Sequence, residues 1–306
     1  MHIVFCGDKN IVKPVGVASA SIVRNCLGCK IHISIVGIGW SNEDIYTVKL
    51  YAKGASIDYI SADNLQLPPI RKGRHLTSAA YITLYLPQLF KKEKKILYLD
   101  YDILVRDNRI MNLWNTDMEE FPIAAVQSVG VSFVGSRNGI PNWREMNLDP
   151  KAPLFNSGVI LYNPQRCMEI DLTRKALEYA NKEGHNTRWA DQQALNVAIN
   201  GNWKSLPPIY NAAMKSLTDN SGAYALWDIK ETDEARTNPC IVHFLSRQKP
   251  WKYGEIKPFF DEWRSISSDL GWTPWKDTSG IRKQQFKATK KYIRNTVKGI
   301  HKAFRS

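Results

Sequence analysis

The chain has 306 residues, 43% hydrophobic and 23% charged, with 42 Lys and Arg against 29 Asp and Glu, a formal net charge of +13. Ten Trp, thirteen Tyr and ten Phe can bury a large core, which excludes intrinsic disorder for the whole and fits one large domain or two smaller ones. The surplus positive charge asks for an anionic partner: nucleic acid, an anionic membrane surface or an anionic substrate.

In chain order, residues 1–6 form a short apolar run leading into Gly7-Asp8-Lys9-Asn10, a strand followed by a loop. The run has no basic flank, so no secretory leader is expected, and no window approaches the roughly 18 apolar residues of a membrane span. Residues 15–26 read as a helix, 31–38 as a strand rich in Ile and Val, 45–51 as a helix and 56–60 as a strand. A helix over 78–90 and a strand over 95–99 ending in Asp100 follow. Short strands are expected at 123–126 and 158–161, helices at 171–183 and 190–199, and a strand at 239–245. Strands separated by helices predict an α/β sandwich with a largely parallel sheet, whose ligands bind beyond the carboxyl ends of the strands. Composition shifts near Lys252. Phe259, Phe260, Trp263, Trp272 and Trp275 beyond it suggest a smaller C-terminal helical region at 252–306.

The five cysteines, Cys6, Cys26, Cys29, Cys167 and Cys240, are odd in number and scattered, which suits a reducing compartment better than a disulfide framework. Cys26-x-x-Cys29 is a redox pair, half a zinc site, or simply two partly buried thiols on a helix; no second pair completes a metal site, and the last reading is preferred.

Charge is concentrated at the C-terminus. Residues 280–306 hold nine Lys and Arg and no acid, leaving 33 basic against 29 acidic residues elsewhere. Phe286, Ile293, Val297, Ile300 and Phe304 recur at helical spacing opposite the basic positions. A basic amphipathic helix of this kind binds anionic membrane surfaces or packs, solvated, on its parent domain. Nucleic-acid binding fits less well, because the rest of the chain is close to neutral.

Four motifs carry candidate chemistry. In Leu97-Tyr98-Leu99-Asp100-Tyr101-Asp102-Ile103 two carboxylates interrupt an apolar run. In an extended segment both point the same way and suit one Mg²⁺ or Mn²⁺, and unpartnered charges there would be costly; caps and turn hydrogen bonds are the bland alternative. His243, in the apolar run 240–245, is either a hydrogen-bonded core residue or an imidazole ligand, with Lys249 following to reach an anion such as a phosphate. Phe155-Asn156-Ser157-Gly158 reads as a turn before a strand or as part of a site, and Ala190-Asp191-Gln192-Gln193 as a helix start or as part of one. Neither G-x-G-x-x-G, a P-loop, H-E-x-x-H nor G-x-S-x-G occurs, which removes the main support for dehydrogenase, P-loop kinase, zincin and α/β-hydrolase readings.

Together, and in this order, these pieces resemble glycosyltransferase family 8: Ile3-Val4-Phe5 leading to Asp8 and Asn10, the 97–102 motif, Leu113-Trp114, 155–159, 191–196, and His243 through Lys249-Pro250-Trp251. The resemblance covers about residues 1–251 and is strongest to bacterial lipooligosaccharide galactosyltransferases and glucosyltransferases. It implies a GT-A (Rossmann-like) fold, mostly parallel with flanking helices, and Mn²⁺-dependent (or Mg²⁺-dependent) retaining transfer of a hexose from a UDP-sugar to a saccharide acceptor. Asp100, Asp102 and His243 would bind the metal, Asp8 and Asn10 the uracil and ribose, and Lys249 the phosphates. Tyr101 and Ser246 join the donor-binding set; Asn156, Asp191 and Gln192 would line the sugar pocket, with Gln192 near the anomeric carbon. Retention implies a double displacement or a front-face substitution, the second being favoured in the family. His75 matches a position near the acceptor.

Two positions depart from the family pattern. Thr83 stands in Tyr81-Ile82-Thr83 where the family has Tyr-x-Arg, and Ser246 stands where it has Gly. A donor sugar other than galactose or glucose is therefore expected. The acceptor would be a surface glycan such as lipooligosaccharide, lipopolysaccharide or capsule, with the protein peripheral on the cytoplasmic face of the membrane through its tail. A UDP-sugar-binding protein with impaired transfer and a transferase acting on a glycoprotein are the alternatives.

Overall fold

A computed structural model of the chain describes residues 1–70, 77–184, 187–213, 224–245, 249–252 and 257–274. The chain divides into two compact units, Met1–His243 and Phe244–Ser306.

The first unit is built on a seven-stranded sheet. β1 (His2–Asp8) runs into a short 3-10 turn whose Asn10 N–H donates to the Asp8 carboxylate, and the chain continues into α1 (Val12–Asn25). β2 (His32–Ile38), α2 (Asn42–Tyr51) and β3 (Ser56–Ser61) complete a run of alternating strands and helices. α2 starts three residues before the expected Ile45, at a capping box: Ser41 accepts from the Asp44 N–H while the Asp44 side chain accepts from Ser41 N–H. β4 (Ile96–Leu99), β6 (Ile123–Gln127), β7 (Phe155–Tyr162) and β8 (Lys204–Ser205) fill the other half. The order is β3-β2-β1-β4-β7-β6-β8, parallel throughout except where β7 pairs antiparallel with β4 and β6. The interior strands are buried on both faces, which is why they read as continuous apolar runs.

Between β4 and β6 lie β5 (Ile103–Val105) and α4 (Ile110–Trp114). After β7 come α5 (Pro164–Glu169), α6 (Leu172–Glu183) and α7 (Ala190–Ile199). β9 (Ala212–Ala213), α8 (Ile229–Thr237) and β10 (Ile241–His243) end the first unit. β5, β10 and β9 form a separate small sheet, with His243 opposite Ile103 on one side and Ala213 on the other.

Four local expectations change. The helix over 78–90 is a 3-10 segment, Ser78–Tyr85, followed by α3 (Leu86–Leu89). Pro87 explains the break, since in a continuous α-helix its ring would clash with the Thr83 carbonyl; that carbonyl instead accepts from Leu86 N–H. Asp100 and Asp102 lie in a turn between β4 and β5, not in an extended strand. β7 starts at Phe155, so Asn156 and Ser157 belong to the strand instead of a turn before it. Cys26 and Cys29 fall just beyond α1, not on it; both thiols are free, Cys26 buried.

The second unit contains α9 (Phe260–Asp269). Trp263 is fully buried, with the Trp251 and Trp272 rings 5.2 and 5.5 Å from it, and the Arg264 guanidinium donates to the Pro250 carbonyl at 2.9 Å. Among the described residues no helix is long and apolar enough to cross a membrane. The basic segment 280–306, Trp275, His75 and Ser246 lie outside the described residues.

Candidate active site

The small sheet exists, in functional terms, to bring two distant segments together. β4 delivers Asp100 and Asp102 in the turn that follows it, and β10 delivers His243 as its last residue. His243 Nε2 lies 3.3 Å from Asp100 Oδ2 and 3.2 Å from Asp102 Oδ1, and one ligand atom from each of the three residues falls within 4.8 Å of the others. His243 and Asp102 are buried, Asp100 partly so. The Asp100 N–H donates to the Gly158 carbonyl at 2.8 Å, and Asp100 Oδ1 accepts the Tyr98 hydroxyl at 2.5 Å.

The residues fit a hard divalent cation. His243 Nε2 is buried without a hydrogen-bond partner of acceptable geometry, though it faces two carboxylates. Burial opposes charge on this imidazole, yet Asp102 and Asp100 outweigh it and lift its pKa to about 9. The spot therefore draws positive charge, and two carboxylates with one imidazole are a donor set for Mn²⁺ or Mg²⁺.

Next to this triad lies a run of amide side chains. Asn211 Oδ1 is 2.9 Å from His243 Nδ1, and Asn211 Nδ2 donates to Asn156 Oδ1 at 2.8 Å. Asn156 Nδ2 donates to Gln192 Oε1 at 2.9 Å, and Ser157 N–H reaches the same oxygen at 3.3 Å. Asp191, in the first turn of α7, accepts from Ser157 and from backbone N–H groups of its own helix. Burial, then the Asp100 carboxylate, push its pKa up to about 7. Thr83 Oγ1 is 3.0 Å from the Ala80 carbonyl and 3.4 Å from Asp191 Oδ2, so the short hydroxyl reaches the Asp191 carboxylate.

α7 is tied to β7 by Asn196. Its buried side chain accepts from Phe155 N–H at 2.9 Å and donates to Phe155 O at 3.0 Å, imitating a strand partner. Asn196→Leu leaves both backbone groups unpaired and should destabilise the fold by about 2–4 kcal/mol, read as a lower denaturant midpoint with an unchanged slope. An unchanged midpoint would contradict the role given to this side chain.

Asp8 and Tyr101 lie close enough to the triad to interact with it electrostatically. Asp8 closes β1 and accepts from Asn10 N–H and from Thr77 Oγ1 at 3.2 Å; Asn10 is exposed. Burial and the Asp102, Asp100 and Asp8 carboxylates raise the Tyr101 pKa, which keeps its phenol protonated. Lys249 belongs to the second unit, where its ammonium donates to the Phe244 carbonyl at 2.8 Å. Sequence reading missed Asn211, and it gave Gly158 no role of its own. Asn211 sits in the neutral stretch Tyr210-Asn211-Ala212, with nothing nearby to mark it.

Three comparisons bear on this arrangement. A family model described as Glycosyl transferase family 8 matches residues 2–255. General stress protein A of Bacillus subtilis is 28% identical over 279 residues, covering 89% of this chain and 94% of that protein. Glycosyltransferase GlyE of Streptococcus pneumoniae is 24% identical over 269 residues, 87% of this chain but 60% of GlyE. The crystal structure of galactosyltransferase LgtC, in complex with donor and acceptor sugar analogs, superimposes with a TM-score of 0.72 at 21% identity, covering 92% of this chain and all of LgtC. That likeness establishes the GT-A fold.

Proposed function

The chain belongs to glycosyl transferase family 8, and from that premise we propose that this glycosyltransferase moves a hexose from a UDP-sugar to a saccharide acceptor with retention of configuration. The observation that carries the reading is the convergence of Asp100, Asp102 and His243 on one point at the end of the sheet. Those three side chains would hold Mn²⁺ or Mg²⁺. A divalent ion there supplies positive charge to a departing diphosphate.

The chain's own groups account for the rest. Asp8 and Asn10, beyond β1, would hold the uracil and ribose and Lys249 the donor phosphates, with Tyr101 and Ser246 completing the donor-binding set. Asn156, Asp191 and Gln192 line the sugar pocket. Gln192 Oε1 already accepts from Asn156 and Ser157, so Gln192 meets the donor through its amide N–H groups. That supports front-face substitution over attack by the Gln192 oxygen. With Thr83 in place of a guanidinium, Asp191 meets sugar hydroxyls in a different setting, which favours a sugar other than galactose or glucose.

A panel of UDP-sugars with saccharide acceptors tests this, with the anomeric configuration of the product read by NMR. Retention and a preference outside UDP-galactose and UDP-glucose are expected. An inverted product contradicts the mechanism, and clear preference for either of those two donors contradicts the role of Thr83.

The acceptor is a surface glycan such as lipooligosaccharide, lipopolysaccharide or capsule, reached from the cytoplasmic face of the membrane. Nine Lys and Arg in residues 280–306, each worth about 1 kcal/mol near an anionic leaflet, support the attachment. Removing residues 280–306 should abolish binding to anionic vesicles and leave UDP binding intact; undiminished vesicle binding would refute the anchor.

A further inference from the structure

We infer that Asn211 is a positioning residue, through which the backbone of β7 dictates the tautomer of His243 and the amide orientation of Gln192. The inference rests on the metal-site reading above.

The argument starts from two backbone donors, whose polarity cannot reverse. Gly158 N–H donates to Asn156 Oδ1 at 3.1 Å, and Ser157 N–H donates to Gln192 Oε1 at 3.3 Å. The first fixes which end of the Asn156 amide is the oxygen. Asn211, 2.8 Å from that oxygen, must then present its NH₂ there and its own oxygen on the other side. Its oxygen lies 2.9 Å from His243 Nδ1, which must therefore carry a proton. Nε2 is then the ring nitrogen that faces the space shared with Asp100 and Asp102, the one that would exchange its proton for a cation.

The same chain runs the other way. Asn156, with its oxygen committed, offers Nδ2 to Gln192 Oε1. Gln192 then keeps only N–H groups for a ligand. Asn211 is itself anchored, since the Tyr224 hydroxyl donates to its backbone carbonyl at 3.0 Å. Asn211 and His243 are each about 1% exposed, so water does not compete for these bonds. The Asn211 side chain touches both the candidate ligand His243 and the sugar-side amide of Asn156.

Two variants of the full chain separate its two contacts. Asn211→Leu removes both, and should weaken Mn²⁺ binding, measured by calorimetry, by about 10–100-fold. Asn211→Asp keeps an acceptor for His243 Nδ1 and loses the donor to Asn156. It should recover Mn²⁺ affinity relative to Asn211→Leu, yet lower kcat at saturating Mn²⁺ by about tenfold or more. A general packing defect would depress both quantities in both variants. Wild-type Mn²⁺ affinity in Asn211→Leu, or no recovery in Asn211→Asp, overturns the inference. Absence of Mn²⁺ binding in the wild type overturns the metal-site reading itself.

Discussion

Gly158→Ala should reduce sugar transfer by at least about 100-fold and weaken Mn²⁺ binding in parallel. A Cβ at this position would run into His243 Cε1, and would lie 2.6 Å from His243 Nδ1 and 2.8 Å from Asp100 Oδ2. None of the neighbours can give way cheaply. Gly158 sits in β7, with β4 hydrogen-bonded on one side and β6 on the other. Its carbonyl holds Asp100 N–H, and its N–H holds Asn156. His243 is pinned in turn by Asn211. One methyl group therefore displaces two of the three ligand side chains, and overpacking adds about 1–3 kcal/mol of instability. Calorimetric Mn²⁺ titration checks the outcome, and a variant that binds Mn²⁺ like the wild type would contradict the geometry.

The second large effect is expected of Asp102→Asn. The substitution keeps size and removes one of the two negative charges facing His243 Nε2 from a buried position. Asp102 lies in the turn between β4 and β5, and its loss would leave Asp100 and His243 as two of the three candidate ligands. Mn²⁺ affinity should fall by about 100-fold or more. Retained Mn²⁺ affinity would remove Asp102 from the ligand set.

The sheet was legible because its interior strands are apolar on both faces, so runs such as Ile3-Val4-Phe5 and Val159-Ile160-Leu161 need no periodicity to be recognised. The two carboxylates of the candidate metal site were legible for a different reason: charge inside an apolar run is costly, and Asp100-Tyr101-Asp102 stands out for that reason. Its local geometry was not, because a turn and a strand present two carboxylates with the same spacing in sequence. α8 carried a readable start, Asp228 capping with Glu231 three residues on, but its middle is polar and drew no helix assignment. β8 and β9 are two residues each, below what any pattern reveals. Asn211 was beyond reach, since its partners His243 and Asn156 lie 32 and 55 residues away, one in the small sheet and one in β7 of the large sheet.

The most direct test of the central claim is UDP release from UDP-sugars by the full chain, measured as purified, after treatment with a chelator, and after Mn²⁺ is added back. The site built from Asp100, Asp102 and His243 predicts that release stops with the chelator and returns with Mn²⁺. Turnover that persists undiminished in the chelator would contradict it.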